Sequence, residues 1–483
     1  MTQWTWILSR IVRQVWFRAA IISLLSVALA ILAAFVTPYL PYTFDADIGQ
    51  QSVGTILQIM ASSMLAVTTF SLTAMVSAYS SATQLATPRA TQLMVSDPTS
   101  QNALSTFLGA FVFSMVGIVG LNTSAYGHDG RIILFAATVL IILLVVGTLL
   151  RWIGHITAFG RMADVIDRVE EAATQAMQDF AAHPHLGGRA AVAIPTDAVT
   201  VTAVQTGYVT HIDIAALGTI ADRNDLTVYV DVLPGAMMHP ARTLLQVSGK
   251  INDGIRSELI KTFTIERHRS FDQDPRLGLI ALSEIASRAL APATNDPGTG
   301  IEVLNALLRV FLTLSPGAAR VDEEPDSPRI HIGQPTMEDM LGDAFGPILR
   351  EGIAEVEVSL RLTATLAAMH ASLPAARREI EHWANRHAKR VATTMEDPDD
   401  LTAFNDAYRR HWPAGGTIRR HAAIWFDDIA ASADSLTSFK DMSTHHVPVG
   451  TRQPHRPGSP HNPVEIRRHQ QMRHRQCRDA GKE

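Results

Sequence analysis

Four apolar segments separated by short loops fill the first third of the chain, and the remainder has the charge density of a water-exposed protein. The segments run roughly Phe17–Val36, Val53–Tyr79, Ala103–Leu121 and Ile132–Ile153. A helix needs about 20 mostly apolar residues to cross a bilayer, and each segment meets or approaches that length. From Met1 to His155 there are ten charged side chains, six Arg and four Asp, while the other 328 residues carry 77. The long aromatic flank before Phe17 and the three later segments mark the first as a span rather than a cleaved leader.

The basic residues give the expected direction. Arg10, Arg13 and Arg18 precede the first span, Arg89 follows the second, and Arg151, Arg161 and Arg168 follow the fourth. The opposite loops hold Asp45, Asp47 and Asp129, with Arg131 at a boundary. Both termini are therefore expected in the cytoplasm. Trp4, Trp6, Trp16 and Trp152 suit one interface, and Tyr39 and Tyr42 the other.

Span two differs from the rest. Ser62, Thr69, Thr73, Ser77, Ser80 and Gln84 fall within a sector of about 80° on a helical wheel. Such a stripe serves close helix packing or lines a water path. Apart from Arg18 and Arg151 at the segment ends, no Asp, Glu, Lys, Arg or His lies inside the four segments, which argues against a proton relay built in the membrane. Span three carries a small-residue seam, Ala110, Ser114 and Gly117, suited to tight contact with span two or a neighbouring subunit. Apolar residues continue at helical spacing beyond span four. That predicts one helix from Ile132 to Phe180, about 75 Å long, passing through Gly154 and Gly160.

A Pro/Gly-bearing break at His183–Arg189 ends the helical period. Alternation then predicts short strands at 199–204, 226–232 and 243–247, with a turn at Pro234-Gly235. Gly207-Tyr208-Val209 with Gly235, Met238 and Leu244 resembles a barrel-sandwich domain of the biotinyl/lipoyl type. Ala236 and Ala241 replace two residues of that pattern, and no lysine lies between Gly207 and Gly249 to carry an arm. Asp274-Pro275 and Asp296-Pro297 read as helix starts, because Asp caps free N–H groups and Pro fits the first turn. Glu284 and Arg288 are spaced as an i,i+4 pair. Residues 315–340 read as an acidic loop. A long helix with Phe345, Leu349, Ile353, Val356, Leu360, Ala364 and Ala367 on one face follows, then helices near 375–393 and 399–411.

The chain is similar to a family of predicted bacterial multi-pass membrane proteins, domain-of-unknown-function family 2254. The likeness rests on Phe70-Ser71-Leu72 with Ala86-Thr87-Pro88-Arg89, on Thr106–Val112, and on Gly207-Tyr208-Val209 with Ile212-Asp213. It rests most on Asp272-Gln273-Asp274 and Ile285–Pro297. Ala291 stands where the family usually has Ser, and Phe271–Asp274 departs from an Arg-Thr-x-x-Gln-Asp type of string. The resemblance implies fold and location and carries no activity.

The expected fold is an α+β membrane protein. Residues 1–155 form a four-helix transmembrane region and 156–190 a helical connector. A barrel-sandwich-like β domain at 191–250 and a helical domain at 251–314 follow. The acidic loop at 315–340, a second helical domain at 341–430 and a disordered basic tail at 431–483 complete it. Asp272, Asp274, Arg288, Asn295 and Asp296, with His268, form either a cytoplasmic site for a metal or phosphate or a set of structural caps. The chain lacks a phosphate-binding Gly-x-x-x-x-Gly-Lys loop, a dinucleotide fingerprint and a nucleophile elbow. No enzyme activity, cofactor, metal or nucleic-acid partner is expected. The expected partners are the bilayer, further copies of the chain, and anionic lipid beneath the basic tail. The leading expectation is an oligomeric conduit with a cytoplasmic assembly or gating domain, the alternative a non-conducting scaffold or sensor, and the third reading a membrane enzyme using the Asp272–Asp296 region.

Overall fold

The computed structural model describes residues 15–35, 50–85, 87–95, 97–123, 128–158, 160–315 and 325–412. Arg10, Arg13, Trp4, Trp6, Tyr39, Tyr42, Asp322–Glu324, the Trp16 and Gln84 side chains and the tail lie outside the described residues.

The apolar region contains α1 (Val15–Phe35), α2 (Gln50–Leu85), the short α3 (Pro88–Val95), α4 (Pro98–Asn122) and α5 (His128–Ala158). Among the described residues, three helices are long and apolar enough to cross a membrane: Gln51–Thr83, Pro98–Asn122 and Gly130–Thr157. α1 holds a shorter apolar run, Phe17–Leu29. α4 is the hub. A Cβ on its Gly109 would lie 2.7 Å from Ile22 Cγ2 of α1, so that crossing needs glycine. The small-residue seam meets α2, where Leu57 Cδ1 would lie 3.0 Å from a Cβ on Gly117. Trp152 is buried edge-on between Phe70 and Phe107, 6.5 Å from each ring.

The long exit helix expected after span four is two helices. α5 ends at Ala158, Gly160 takes φ +84°, and α6 (Met162–Ala182) starts anew. A left-handed residue after a helix satisfies its last carbonyls and is commonly glycine. A Cβ there would also lie 2.8 Å from the Ala78 carbonyl oxygen of α2. The unbroken helix is α2, which has no glycine or proline between Gly54 and Pro88. At 36 residues it spans about 54 Å, well beyond the apolar layer. Its last turns enter the helical core, where Ala82 is fully buried and Met75, Ala78 and Tyr79 pack alongside.

The β region is two small open sheets. β1 (Arg189–Ala190), β2 (Val199–Thr202), β4 (Thr227–Val230), β6 (Thr243–Ser248) and β8 (Ile330–Ile332) form the order β1-β8-β4-β6-β2. β3 (Gly207–Ile212), β5 (Met237–Met238) and β7 (Phe263–Glu266) form the order β5-β3-β7. The alternation at Leu226, Val228, Val230 and Val232 is realised as burial against α7 (Ile214–Arg223) and α8 (Asp253–Lys261). β8 lies inside the expected acidic loop. Its Ile330 and Ile332 are fully buried, and it pairs in parallel with β1 and β4, a connection that local sequence does not reveal.

The helical core joins α6, α9 (Pro275–Ala289), α10 (Pro297–Leu312), α11 (Met337–Glu351), α12 (Val356–Ser372) and α13 (Arg377–Thr394). α14 (Pro398–His411) packs through Phe404 on Val391 and Met395. The single long helix expected over 345–367 is broken between α11 and α12, where Gly352 caps α11. A Cβ at Gly352 would lie 2.8 Å from Leu290 Cδ1, so the break lets the α9–α10 corner approach.

Candidate functional site

Ser62, Thr69, Thr73, Ser77 and Ser80 of the α2 stripe are all exposed. Within one protomer α4 and α5 therefore leave this face largely uncovered. Ser62, Thr69 and Thr73 donate to the carbonyls of Ile59, Leu65 and Thr69 at 3.0 Å each. Back-bonded hydroxyls are compatible with an apolar layer, a neighbouring subunit or a lumen.

Where α2 enters the helical core, a second constellation appears that the sequence reading did not assemble. Asp97 caps α4, accepting from the Ser100 N–H at 2.7 Å, and its side chain is 2% exposed. Its other oxygen accepts from Arg168 Nη1 of α6 at 2.9 Å. His155 Nε2, on the last turn of α5, lies 2.9 Å from the Ser100-bonded oxygen. Arg168 Nε also donates to Asp164 at 2.9 Å, and Asp164 receives the Gly160 N–H at 3.5 Å. One aspartate thus ties the start of α4, the end of α5 and the first turns of α6. Burial works against the Arg168 charge, yet its hydrogen bonds to Asp164 and Asp97 outweigh that and raise its pKa. A charge-assisted pair in such surroundings is strong once formed and expensive to break on one side.

α3 completes the junction. Ala90 and Met94 insert into the helical core beside Val165, Ile166 and Leu282, and Arg89 pairs with Glu284 of α9. Glu284, spaced in sequence to meet Arg288, therefore also holds the loop between α2 and α4. The available signal was Asp97-Pro98, the same capping dipeptide as Asp274-Pro275 and Asp296-Pro297. Its partners lie 58 and 71 residues away, beyond the reach of local pattern.

The residues from 268 to 296 do not converge. Asp274 and Asp296 flank opposite ends of α9, whose 15 residues span about 22 Å. Asp274 caps α9, is 2% exposed, and pairs with Arg269 at 2.6 Å. Burial raises its pKa despite that partner. Gln273 ties the start of α9 to β3, accepting from the Ile212 N–H at 2.9 Å and donating to its carbonyl at 3.4 Å. Asp272 accepts from Ser270 Oγ at 2.9 Å. Asp296 caps α10, accepting from the N–H and hydroxyl of Thr299 at 3.0 and 2.6 Å, and these bonds lower its pKa. Asn295 takes φ +44° in the turn before it, while Arg288 and His268 are exposed. The most family-like stretch thus builds caps and a staple between α9 and β3. Among the described residues no group of three His, Cys, Asp or Glu side chains is placed to hold a metal.

Comparison with known proteins places this architecture in a family without assigning it a reaction. Uncharacterized proteins of Mycobacterium bovis and Mycobacterium tuberculosis are 28% identical to the chain over 138 residues, 27% of this chain and 26% of theirs. The chain therefore aligns with about a quarter of the length of those relatives. No solved structure matches. The profile of the family described as "Predicted membrane protein (DUF2254)" matches residues 12–368, about three quarters of the chain. The chain belongs to that family of predicted membrane proteins.

Proposed function

We propose that the protein is a non-enzymatic, homo-oligomeric conduit of the bacterial inner membrane, with four spans and both termini in the cytoplasm. α2 lines or flanks a water path at the subunit interface through Ser62, Thr69, Thr73, Ser77 and Ser80. The barrel-sandwich-like β region and the helical domain assemble the oligomer and gate it. One observation carries this reading. α2 bears an exposed hydroxyl face in its apolar part, and the same uninterrupted helix ends inside the helical core. A rearrangement of the helical domain would therefore move the hydroxyl face directly.

Purified protein in liposomes should pass small ions under voltage or membrane tension, and Thr69→Leu with Thr73→Leu should reduce that flux. In a Cys477→Ser background, Thr73→Cys should form intermolecular disulfides on mild oxidation. Absence of both flux and crosslinking would overturn the proposal in favour of a non-conducting scaffold.

A further inference from the structure

The α2–α4 contact is not uniformly apolar. Ser71 and Ser105 are both fully buried, and neither hydroxyl has a hydrogen-bond partner among the described residues. The helices run antiparallel with Leu57 against Gly117. Counting the same number of residues inward from each places Ser71 level with Ala103. Ser105 is then about 3 Å away along the axis and Asp97 about 9 Å away, at 1.5 Å per residue. Gln101, also buried, stands between them on α4. A polar file therefore leads from the Asp97 cluster into the apolar region. Beyond it Phe107, Phe113, Met60, Met64 and Leu57 close the seam, and Trp152 lies across Phe70 and Phe107.

Buried hydroxyls without a protein partner are rare in folded chains, and water satisfies them where it can enter. Here the entry side is occupied by Arg168, Asp97 and His155, held together by bonds of 2.9 Å. We propose that the α2–α4 seam beside Asp97 is a water-admitting crevice within one protomer, and that the Arg168–Asp97–His155 cluster closes it. The crevice is blind, because its inner end is apolar. It opens when Arg168 leaves Asp97, which also frees α6 from the start of α4. This inference does not depend on conduction at the subunit interface and holds for a scaffold as well.

The test uses full-length protein in liposomes with Cys477→Ser, and the small cationic thiol reagent 2-aminoethyl methanethiosulfonate added from water. Ser105→Cys should react measurably, and at least about tenfold faster when combined with Arg168→Met, the factor expected from losing one charge-assisted hydrogen bond. Ser114→Cys, deeper on α4 at a position whose hydroxyl donates to the Ala110 carbonyl at 2.7 Å, should stay slow in both backgrounds. Equal rates for Ser105→Cys with and without Arg168 would overturn the closure. Ser105→Cys as inert as Ser114→Cys in both backgrounds would overturn the crevice. Parallel acceleration at both sites would show general loosening and overturn it too. Should Arg168→Met fail to insert, Arg168→Gln, which removes the charge facing Asp97 and keeps a polar side chain, takes its place, with the same outcomes deciding.

Discussion

α2 and α5 cross the same apolar layer and reach the same charged junction, yet they leave it differently. α2 continues without interruption, and Ala82 is buried with the residues of α6, α9 and α10. α5 stops at Ala158, turns at Gly160 and hands over to α6. The first connection transmits rotation and tilt along one rigid rod. The second is a joint, fixed in one geometry by Arg168, Asp97, Asp164 and His155. The contrast teaches where the junction is able to change. Any movement of the helical domain relative to the apolar helices would have to bend this joint and open its side-chain lock, and α2 would carry it into the layer.

The strongest way to break this contrast is to remove the lock. Arg168→Met leaves Asp97 buried beside only its cap and His155. Removing one partner of a buried pair costs about 3–5 kcal/mol. The expected result is a large drop in thermal unfolding temperature in detergent, with proteolytic cleavage appearing near 159–161. A variant as stable and protease-resistant as the parent would show that the joint does not depend on the lock.

The joint itself is the next target. Gly160→Ala puts a Cβ in a left-handed backbone conformation and within 2.8 Å of the Ala78 carbonyl. Backbone strain of this type costs about 1–3 kcal/mol before the contact with α2 is counted. Gly154→Ala, in the helical part of α5 with open space around it, should instead be neutral or slightly stabilising. Equal effects from the two, measured by thermal unfolding, would mean that Gly160 is an ordinary linker residue.

These two glycines also show what the sequence can and cannot reveal. Both interrupt an apolar period, and only the approach of Ala78 from another helix makes one a joint. The strands at 199–202, 227–230 and 243–248 were legible because burial there alternates with local period two. The starts of α9 and α10 were legible because Asp-Pro carries its own mechanism, a cap and a fixed φ. β8 was not, since it depends on partners 102 residues earlier, Val228 with Ile330. Nor was the split at Gly352, which exists to admit Leu290. The junction cluster was hidden for the same reason, since the His155 and Arg168 partners of Asp97 lie 58 and 71 residues away.

The helical domain away from the junction has an acid-sensitive point of its own, which separates its stability from that of the lock. His387 of α13 is fully enclosed, with Phe404 edge-on at 5.2 Å, and burial lowers its pKa to about 3. An unfolded chain protonates this group near pH 6.5, so the unfolded state binds more protons below that value. Its contribution is present above pH 6.5 and is lost as pH falls toward about 3. Between pH 7 and pH 5 the loss is about 2 kcal/mol. His387→Leu should flatten that part of the stability profile while leaving the Arg168→Met effect unchanged. An unaltered profile in His387→Leu would place the acid sensitivity elsewhere.

The smallest effect tests Asp97 against its exposed counterpart. Asp97 and Asp296 both precede proline and both cap a helix, but Asp296 is exposed and its partners belong to its own first turn. Asp296→Ala should cost about 1 kcal/mol, the usual value of an N-cap, and Asp296→Asn should cost less because its side chain still offers an oxygen. Thr299 keeps the Asp296 pKa low, so the carboxylate contributes above the ordinary aspartate range and loses its effect as pH falls through the lowered value. The corresponding Asp97→Asn change, read in the same thermal assay, should be several times more damaging, because it removes the charge that Arg168 and His155 face. Were Asp296→Asn as harmful as Asp97→Asn, Asp296 would have a role beyond its cap, and the 272–296 stretch would regain its standing as a site. A small Asp296 effect beside a large Asp97 effect instead puts the functional weight of these motifs at the joint, where a cap has been drawn into a lock between helices.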